Sequence, residues 1–409
     1  MNVLLLRNYN PFSESGASAN RFIGLINGLC REGHNVIIGV TGGLVRKDED
    51  RNLKYDENYA VVYLSRANHY NGISGRLNTY FFDYFHFLKA GCSLKKLLKR
   101  QYDVVWLTNH GKVLRLYLKY YERFKGKTLI ELNEFNDIYK LEPHGNFLQR
   151  RVALRDDIVF QKVVGKIDLF AVMTNTLMNY YQKMAKPDAK FMLLPMTVDL
   201  SRFENVTNEV NYQRPYIAFT GAMANHKDGV DVLIQAFDKI SKKHPEYHLY
   251  LAGPWHYDVA GQDELIHKLS LEDRIHRLGV LHRDDIPAFV CNAALLVISR
   301  PDSHQAQGGF PTKLGEYLAT GNPVCVTKVG EIPNYLEDNI SAFMAEPGNV
   351  DSFADTMDRV LNDKENAKRV GTNGRHVAEK YFSSMVQSKR LAVFLQYYVE
   401  CHNGNNNND

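Results

Sequence analysis

Lys313, Glu316 and Tyr317 place a cation, a carboxylate and a phenol at positions i, i+3 and i+4, the spacing at which side chains meet on one helix face. Just before them runs Gly308-Gly309-Phe310-Pro311-Thr312. The glycine pair closes a polar loop, and Pro311 falls where a first helical residue is favoured. The N–H groups of such a loop and helix start lack intrahelical partners and attract phosphate. A glycine pair ahead of a helix is equally a plain connection. Two other spots carry polar groups in suggestive places. Asn133 and Glu134 end the run that begins at Leu129, where sites sit in parallel sheets; the Glu134 carboxylate equally caps a turn. Gly16 precedes a helix, where it either admits a phosphate or sugar or simply makes a tight turn.

The elements that must hold these residues alternate between strand and helix. Ala294–Ser299 is an apolar run of strand length, Leu314 and Leu318 fall on one helical face, and Gly321 and Pro323 stop that helix before the strand Val324–Thr327. At the other end, Asn2–Leu6 is a strand and Ala19–Glu32 a helix with Phe22, Ile23, Ile26 and Leu29 on one side. Gly33 then leads to the strand Asn35–Val40. Such a βαβ order implies a parallel sheet with its site at the strand C-termini. Further strands are expected at Ala60–Leu64, Val104–Leu107, Thr128–Leu132, Leu169–Met173, Tyr216–Thr220 and His248–Ala252, and a last amphipathic helix at Ser384–Val399. The absence of Gly-x-Gly-x-x-Gly after the first strand argues against a nicotinamide cofactor.

At 409 residues, two to three domains are expected, and 44% hydrophobic with 23% charged residues suffices for a sizeable core. The five cysteines are scattered, which suits a reducing compartment and offers no metal-ligand spacing. No stretch is apolar enough to span a bilayer, and the apolar start is too short for a signal peptide. The expectation is a cytoplasmic enzyme, peripheral at most to the inner face of a membrane. Between 89 and 127 the chain carries eleven basic and two acidic residues, a net +9 against +4 for the whole. The aromatic stretch Tyr80–Leu88 precedes it. Residues 80–127 therefore suit either anionic lipid headgroups or an ordinary solvated face over core aromatics. No nucleic-acid motif accompanies the charge.

The run from Phe310 to Val324, with Glu316 at its centre, resembles the donor-site motif of glycosyltransferase family 4. The resemblance implies an α/β, GT-B fold: two Rossmann-like domains whose parallel sheets face a central cleft. Its C-terminal helix would cross back to the first domain. The family's helix Glu holds the ribose of a sugar nucleotide, which gives Glu316 that role. The preceding amides, from Gly308, Gly309, Phe310 and Thr312 with Lys313 behind them, would hold the diphosphate. Gly221 to Phe237 resembles the family's other donor motif, and Lys227, six residues after Gly221, matches its phosphate-gripping Lys. Three positions depart from the pattern. Ala222 stands at an Arg position, Gly308 at a Glu position and Asn133 at a His position. Arg300 is the candidate replacement cation. His304, Gln305, Gln307 and Asn133 are candidates for sugar contacts, and Glu134 for orienting an acceptor hydroxyl. The resemblance places an acceptor-side domain at 1–205 with a crossing helix at 384–401, and a donor domain at 206–383. Residues 402–409, rich in Asn, read as a disordered tail. The implied activity is a retaining hexosyltransferase of polysaccharide biosynthesis. It would move sugar from a nucleotide diphosphate to a glycan, lipid-linked or small-molecule acceptor, with no metal and no cofactor. A GT-B epimerase and a sugar-nucleotide-binding pseudoenzyme remain open alternatives.

Overall fold

The computed structural model describes residues 1–13, 16–42, 52–54, 58–65, 86–136, 147–206 and 215–405. The aromatic residues 80–85 and the linker residues 207–214 lie outside this set. The chain divides into two compact units, Met1–Leu194 with Gln387–Asp409, and Pro195–Val386.

The first unit is built on β1 (Asn2–Arg7), β2 (Asn35–Val40), β3 (Asn52–Lys54), β4 (Tyr59–Tyr63), β5 (Val104–Thr108), β6 (Lys127–Leu132), β7 (Leu169–Val172) and β8 (Lys190–Leu193). They form one sheet in the order β3-β4-β2-β1-β5-β6-β7-β8. Every pairing is parallel except β3 with β4, an antiparallel edge that the apolar patterning did not reveal. Parallel strands are covered on both faces and so read as unbroken apolar runs; Val3, Leu4, Leu5 and Leu6 of β1 are all 0% exposed. One face packs the helix Ala17–Arg31 through Phe22, Leu25, Ile26 and Leu29. Leu391, Ala392, Leu395 and Val399 of the last helix, Ser384–Asn405, join the same core. Of the expected disordered tail 402–409, residues 402–405 continue that helix, and 406–409 lie outside the described residues. Arg21, buried, reaches Glu131 at the end of β6 at 2.5 Å and the Leu194 carbonyl at 2.9 Å.

Asp168 ties three segments at the other end of this sheet. Its carboxylate accepts from Thr128 N and Oγ1, both at 2.8 Å, and from Lys186 Nζ at 2.7 Å. Burial pushes its carboxyl pKa up, but Lys186 and Thr128 together hold it below the ordinary value. A depressed carboxylate stabilises the fold above its unfolded pKa, about 3.9, and that stability is lost as pH falls through the lower folded value. Asp168→Ala is expected to destabilise by about 1.5–3 kcal/mol at neutral pH. The gap from the parent should narrow as pH drops below about 4, which urea unfolding of both proteins at a series of pH values measures.

The second unit contains β9 (Tyr216–Thr220), β10 (His248–Ala252), β11 (Ile275–Gly279), β12 (Leu295–Ile298), β13 (Val324–Thr327) and β14 (Phe343–Ala345). Their order is β11-β10-β9-β12-β13-β14, all parallel. The winding reverses between β9 and β12, and ligands bind beyond the strand C-termini at such a reversal. Ser299 fixes the two loops that leave this point: its Oγ donates to the carbonyls of Asp228 and Gly229 at 3.0 and 2.9 Å. A Cβ on Gly229 would meet the Ser299 carbonyl, and its φ of +65° is left-handed, so the close approach needs glycine. The segment after Leu194 belongs to this unit, eleven residues ahead of the expected boundary. Met196 and Val198 pack against Gly315, and Arg202 pairs with Glu316, which anchors 195–203 to the helix Thr312–Thr320.

Candidate functional site

The helix Thr312–Thr320 carries the centre of the site. Pro311 is its cap, not its first residue, and Gly321 closes it in the left-handed conformation. The shared face of Lys313, Glu316 and Tyr317 is real, and each side chain has a defined partner from a distant segment. Lys313 Nζ donates to Asp228 Oδ1 at 2.6 Å. It also lies 4.2 Å from the centre of the Phe219 ring. Glu316 Oε1 accepts from Arg202 Nη1 at 3.1 Å, while Arg202 Nη2 donates to the Arg283 carbonyl at 2.8 Å. The buried Tyr317 hydroxyl accepts from Thr220 N at 2.6 Å, which pins the helix to the end of β9.

The charges around this helix are unbalanced towards the positive. Burial lowers the Lys313 pKa; Asp228 opposes that, and Arg300 and Lys227 add to it. Burial raises the Glu316 carboxyl, against the pull of Arg202, Arg283 and Lys313. Five cations, Lys227, Arg300, Lys313, Arg202 and Arg283, thus gather around two carboxylates, Asp228 and Glu316. Among the described residues Lys227, half-buried on the turn Asn225–Asp228, has no ion pair or hydrogen bond. Such a surplus is the electrostatic requirement for holding a diphosphate.

Gly221 explains how Lys313 enters the site. A Cβ there would stand 2.2 Å from Lys313 Nζ, and its φ of +145° disfavours any side chain. The ammonium therefore lies against the main chain immediately before Ala222, the position where the family pattern has Arg. Arg300 is buried and donates to the Gln305 carbonyl at 3.3 Å, within electrostatic reach of Lys313.

The glycine loop differs from expectation. Residues His304–Gly308 form a short helix capped by Ser303, and the Gly309 N–H is spent on the Gln305 carbonyl at 2.9 Å. Gly309 is thus no open amide cradle. The polar run hid a helix because Ser303 supplies the cap that a loop reading overlooks. The Phe310 ring is taken up by packing on Tyr335 and Phe382. Thr312 is half-buried at the helix start. In the short helix His304 is exposed, Gln305 is half-buried, and Gln307 donates to Asp302 at 2.6 Å.

In the first unit, Gly16 caps the helix Ala17–Arg31 with φ +120°. Asn133 donates to Glu131 at 3.3 Å, and its buried Oδ1 has no partner among the described residues. The Glu134 side chain is exposed, and its carbonyl accepts from Tyr181 at 2.9 Å. Of the basic segment, Arg115 and Lys119 stack on Phe87, and Lys95 on Tyr120. No described helix is long and apolar enough to cross a membrane.

Arg202 and Asp228 are the functional residues that sequence reasoning missed. Arg202 lies ahead of the expected donor-domain boundary, and Asp228 directly follows Lys227, but their partners lie 114 and 85 residues away.

Residues 202–377 match the family model described as glycosyl transferases group 1. The amylovoran biosynthesis glycosyltransferase AmsK of Erwinia amylovora is 22% identical over 264 residues, covering 62% of each chain. The matched stretches span 31% to 62% of the lengths of the first curated relatives. Sucrose-phosphate synthase of Thermosynechococcus elongatus superposes with a TM-score of 0.76 at 16% identity, over 98% of this chain and 99% of that one. HepE of Anabaena, solved with UDP and glucose, gives 0.68 at 16% identity, over 97% and 100%. Residues 202–377 are thus a glycosyl transferases group 1 domain, in a chain whose two parallel-sheet, Rossmann-like units have the GT-B fold.

Proposed function

We propose that this protein is a retaining glycosyltransferase of family 4. It would take a sugar from a nucleoside diphosphate and pass it to a hydroxyl of a glycan, lipid-linked or small-molecule acceptor without a metal. The observation that carries this reading is the convergence of Lys227, Lys313 and Arg300 around the helix that bears Glu316, inside the matched stretch. Glu316 accepts from the ribose hydroxyls, and Lys227 and Lys313 face the diphosphate. In this reading Lys313, lying against Gly221, takes over the work of the Arg that Ala222 replaces. Fixed cations stabilise the charge that grows on the leaving diphosphate, which is the task a metal would otherwise perform. The leaving phosphate oxygen accepts the acceptor's proton, so the imidazole replaced by Asn133 is not needed. Uridine diphosphate is the first donor scaffold to try, since HepE was solved with it.

Incubation with a panel of α-linked nucleoside diphosphate sugars, followed by proton NMR, tests the reading. The expected result is slow release of free sugar, or of an α-linked product when an acceptor is present. A β-linked product would refute retention. An altered sugar still attached to its nucleotide would mean an epimerase, and tight binding without any turnover a pseudoenzyme.

A further inference from the structure

Beside the donor turn, three potential metal ligands come together from two loops. His226 sits on the turn Asn225–Asp228 that follows β9, one residue before Lys227. His256 and Asp258 lie between β10 and the helix Val259–Lys268. One donor atom of each side chain lies within 4.8 Å of the other two. Sequence spacing could not reveal the group, because the two loops meet only through the parallel pairing of β9 with β10.

The contacts within the group bring a ring nitrogen and a carboxylate oxygen to ligand spacing. The Asp258 backbone nitrogen lies 3.3 Å from His256 Nδ1. That ring nitrogen is 3.2 Å from Asp258 Oδ2. At that distance the two atoms are bridged by a proton on Nδ1 or by a metal ion. Ligand atoms around a tetrahedral zinc, bonded at about 2.0–2.1 Å, are themselves about 3.3 Å apart. One edge of such a tetrahedron is therefore already set. The exposed His226 ring, its centre 5.5 Å from that of His256, brings the third donor to the group.

The carboxylate is also held in place as a metal ligand would be. Asp258 Oδ2 accepts from Asn225 N at 2.7 Å. Asn225 Oδ1 in turn accepts from the buried Gln262 at 2.7 Å, and Gln262 also donates to the Met223 carbonyl at 2.8 Å. Partners of this kind orient ligands and sustain affinity.

We infer that His226, His256 and Asp258 bind a divalent transition metal of the zinc type, with water as the fourth ligand. Two imidazoles and one carboxylate favour such ions over magnesium and calcium, which take oxygen. Occupancy clamps the turn that carries Lys227 to the loop after β10. Metal uptake is read without any sugar nucleotide, so its outcome does not depend on the proposed sugar transfer.

The test is equilibrium dialysis of chelator-stripped protein against Zn²⁺, with Co²⁺ absorption as a report on geometry. One equivalent should bind per chain with tetrahedral Co²⁺ bands, and excess Mg²⁺ should not displace it. His226→Gln and His256→Ala should each weaken uptake at least tenfold. Zn²⁺ should raise the thermal midpoint of the parent but not of either variant, while the stripped proteins melt together, which shows that the variants fold. Absence of stoichiometric uptake by the parent would overturn the site and leave a proton as the charge between His256 and Asp258. Uptake that both variants retain would overturn it equally, by moving the metal elsewhere.

Discussion

Lys313→Met is expected to destabilise the second unit by about 3–5 kcal/mol, because it strands the Asp228 carboxylate in a buried place without its cation. Asp228 is 6% exposed and holds Lys313 at 2.6 Å. Removing one partner of a buried pair costs far more than removing both. Lys313→Met/Asp228→Asn should accordingly recover most of the loss. Urea unfolding of the parent, the single variant and the double variant measures this. Equal losses in the single and double variants would mean that Lys313 contributes packing on Phe219 and not charge. The repaired double variant then serves a second purpose. Being folded, it should bind uridine diphosphate more weakly than the parent while binding uridine as well, if Lys313 faces the diphosphate.

Glu316→Gln is expected to weaken uridine and uridine diphosphate by the same factor, about ten- to 150-fold, the value of a hydrogen bond to a charged group of roughly 1.5–3 kcal/mol. Gln keeps the shape but loses the charge that accepts from the ribose hydroxyls. Lys227→Ala should weaken the diphosphate alone. It should also lower turnover more than Glu316→Gln does, because charge builds on the leaving group in the transition state while the ribose is unchanged. Calorimetric titration of both ligands into both variants separates the roles. If Lys227→Ala weakens uridine as much as uridine diphosphate, its phosphate role is wrong. Arg202 adds a condition, since it pairs with Glu316 at 3.1 Å and must share that carboxylate with the ribose.

The layered α/β architecture was legible because strands such as Val3–Leu6 are buried on both faces and leave no polar alternation to misread. The face of Lys313, Glu316 and Tyr317 was legible because helical spacing is local. What could not be read is whatever depends on pairing across the fold. Asp228 and Arg202 meet their partners only once the strands are ordered. The short helix His304–Gly308 was lost for a different reason. A glycine pair at its end carries no helical signal, and a five-residue helix buries too little to leave an apolar period. The edge strand β3 is three residues long and pairs antiparallel, too short for alternation to show.

The helix Ser384–Asn405 has a consequence for how the chain is made. Its residues Leu391, Leu395 and Val399 complete the core of the first unit, yet residues 195–386 are synthesised before it. At about 5–20 residues per second, that interval lasts roughly ten to forty seconds. During it the nascent first unit offers an open apolar slot beside the helix Ala17–Arg31, while the second unit emerges whole and can close first. The first unit, although translated first, thus completes its core last.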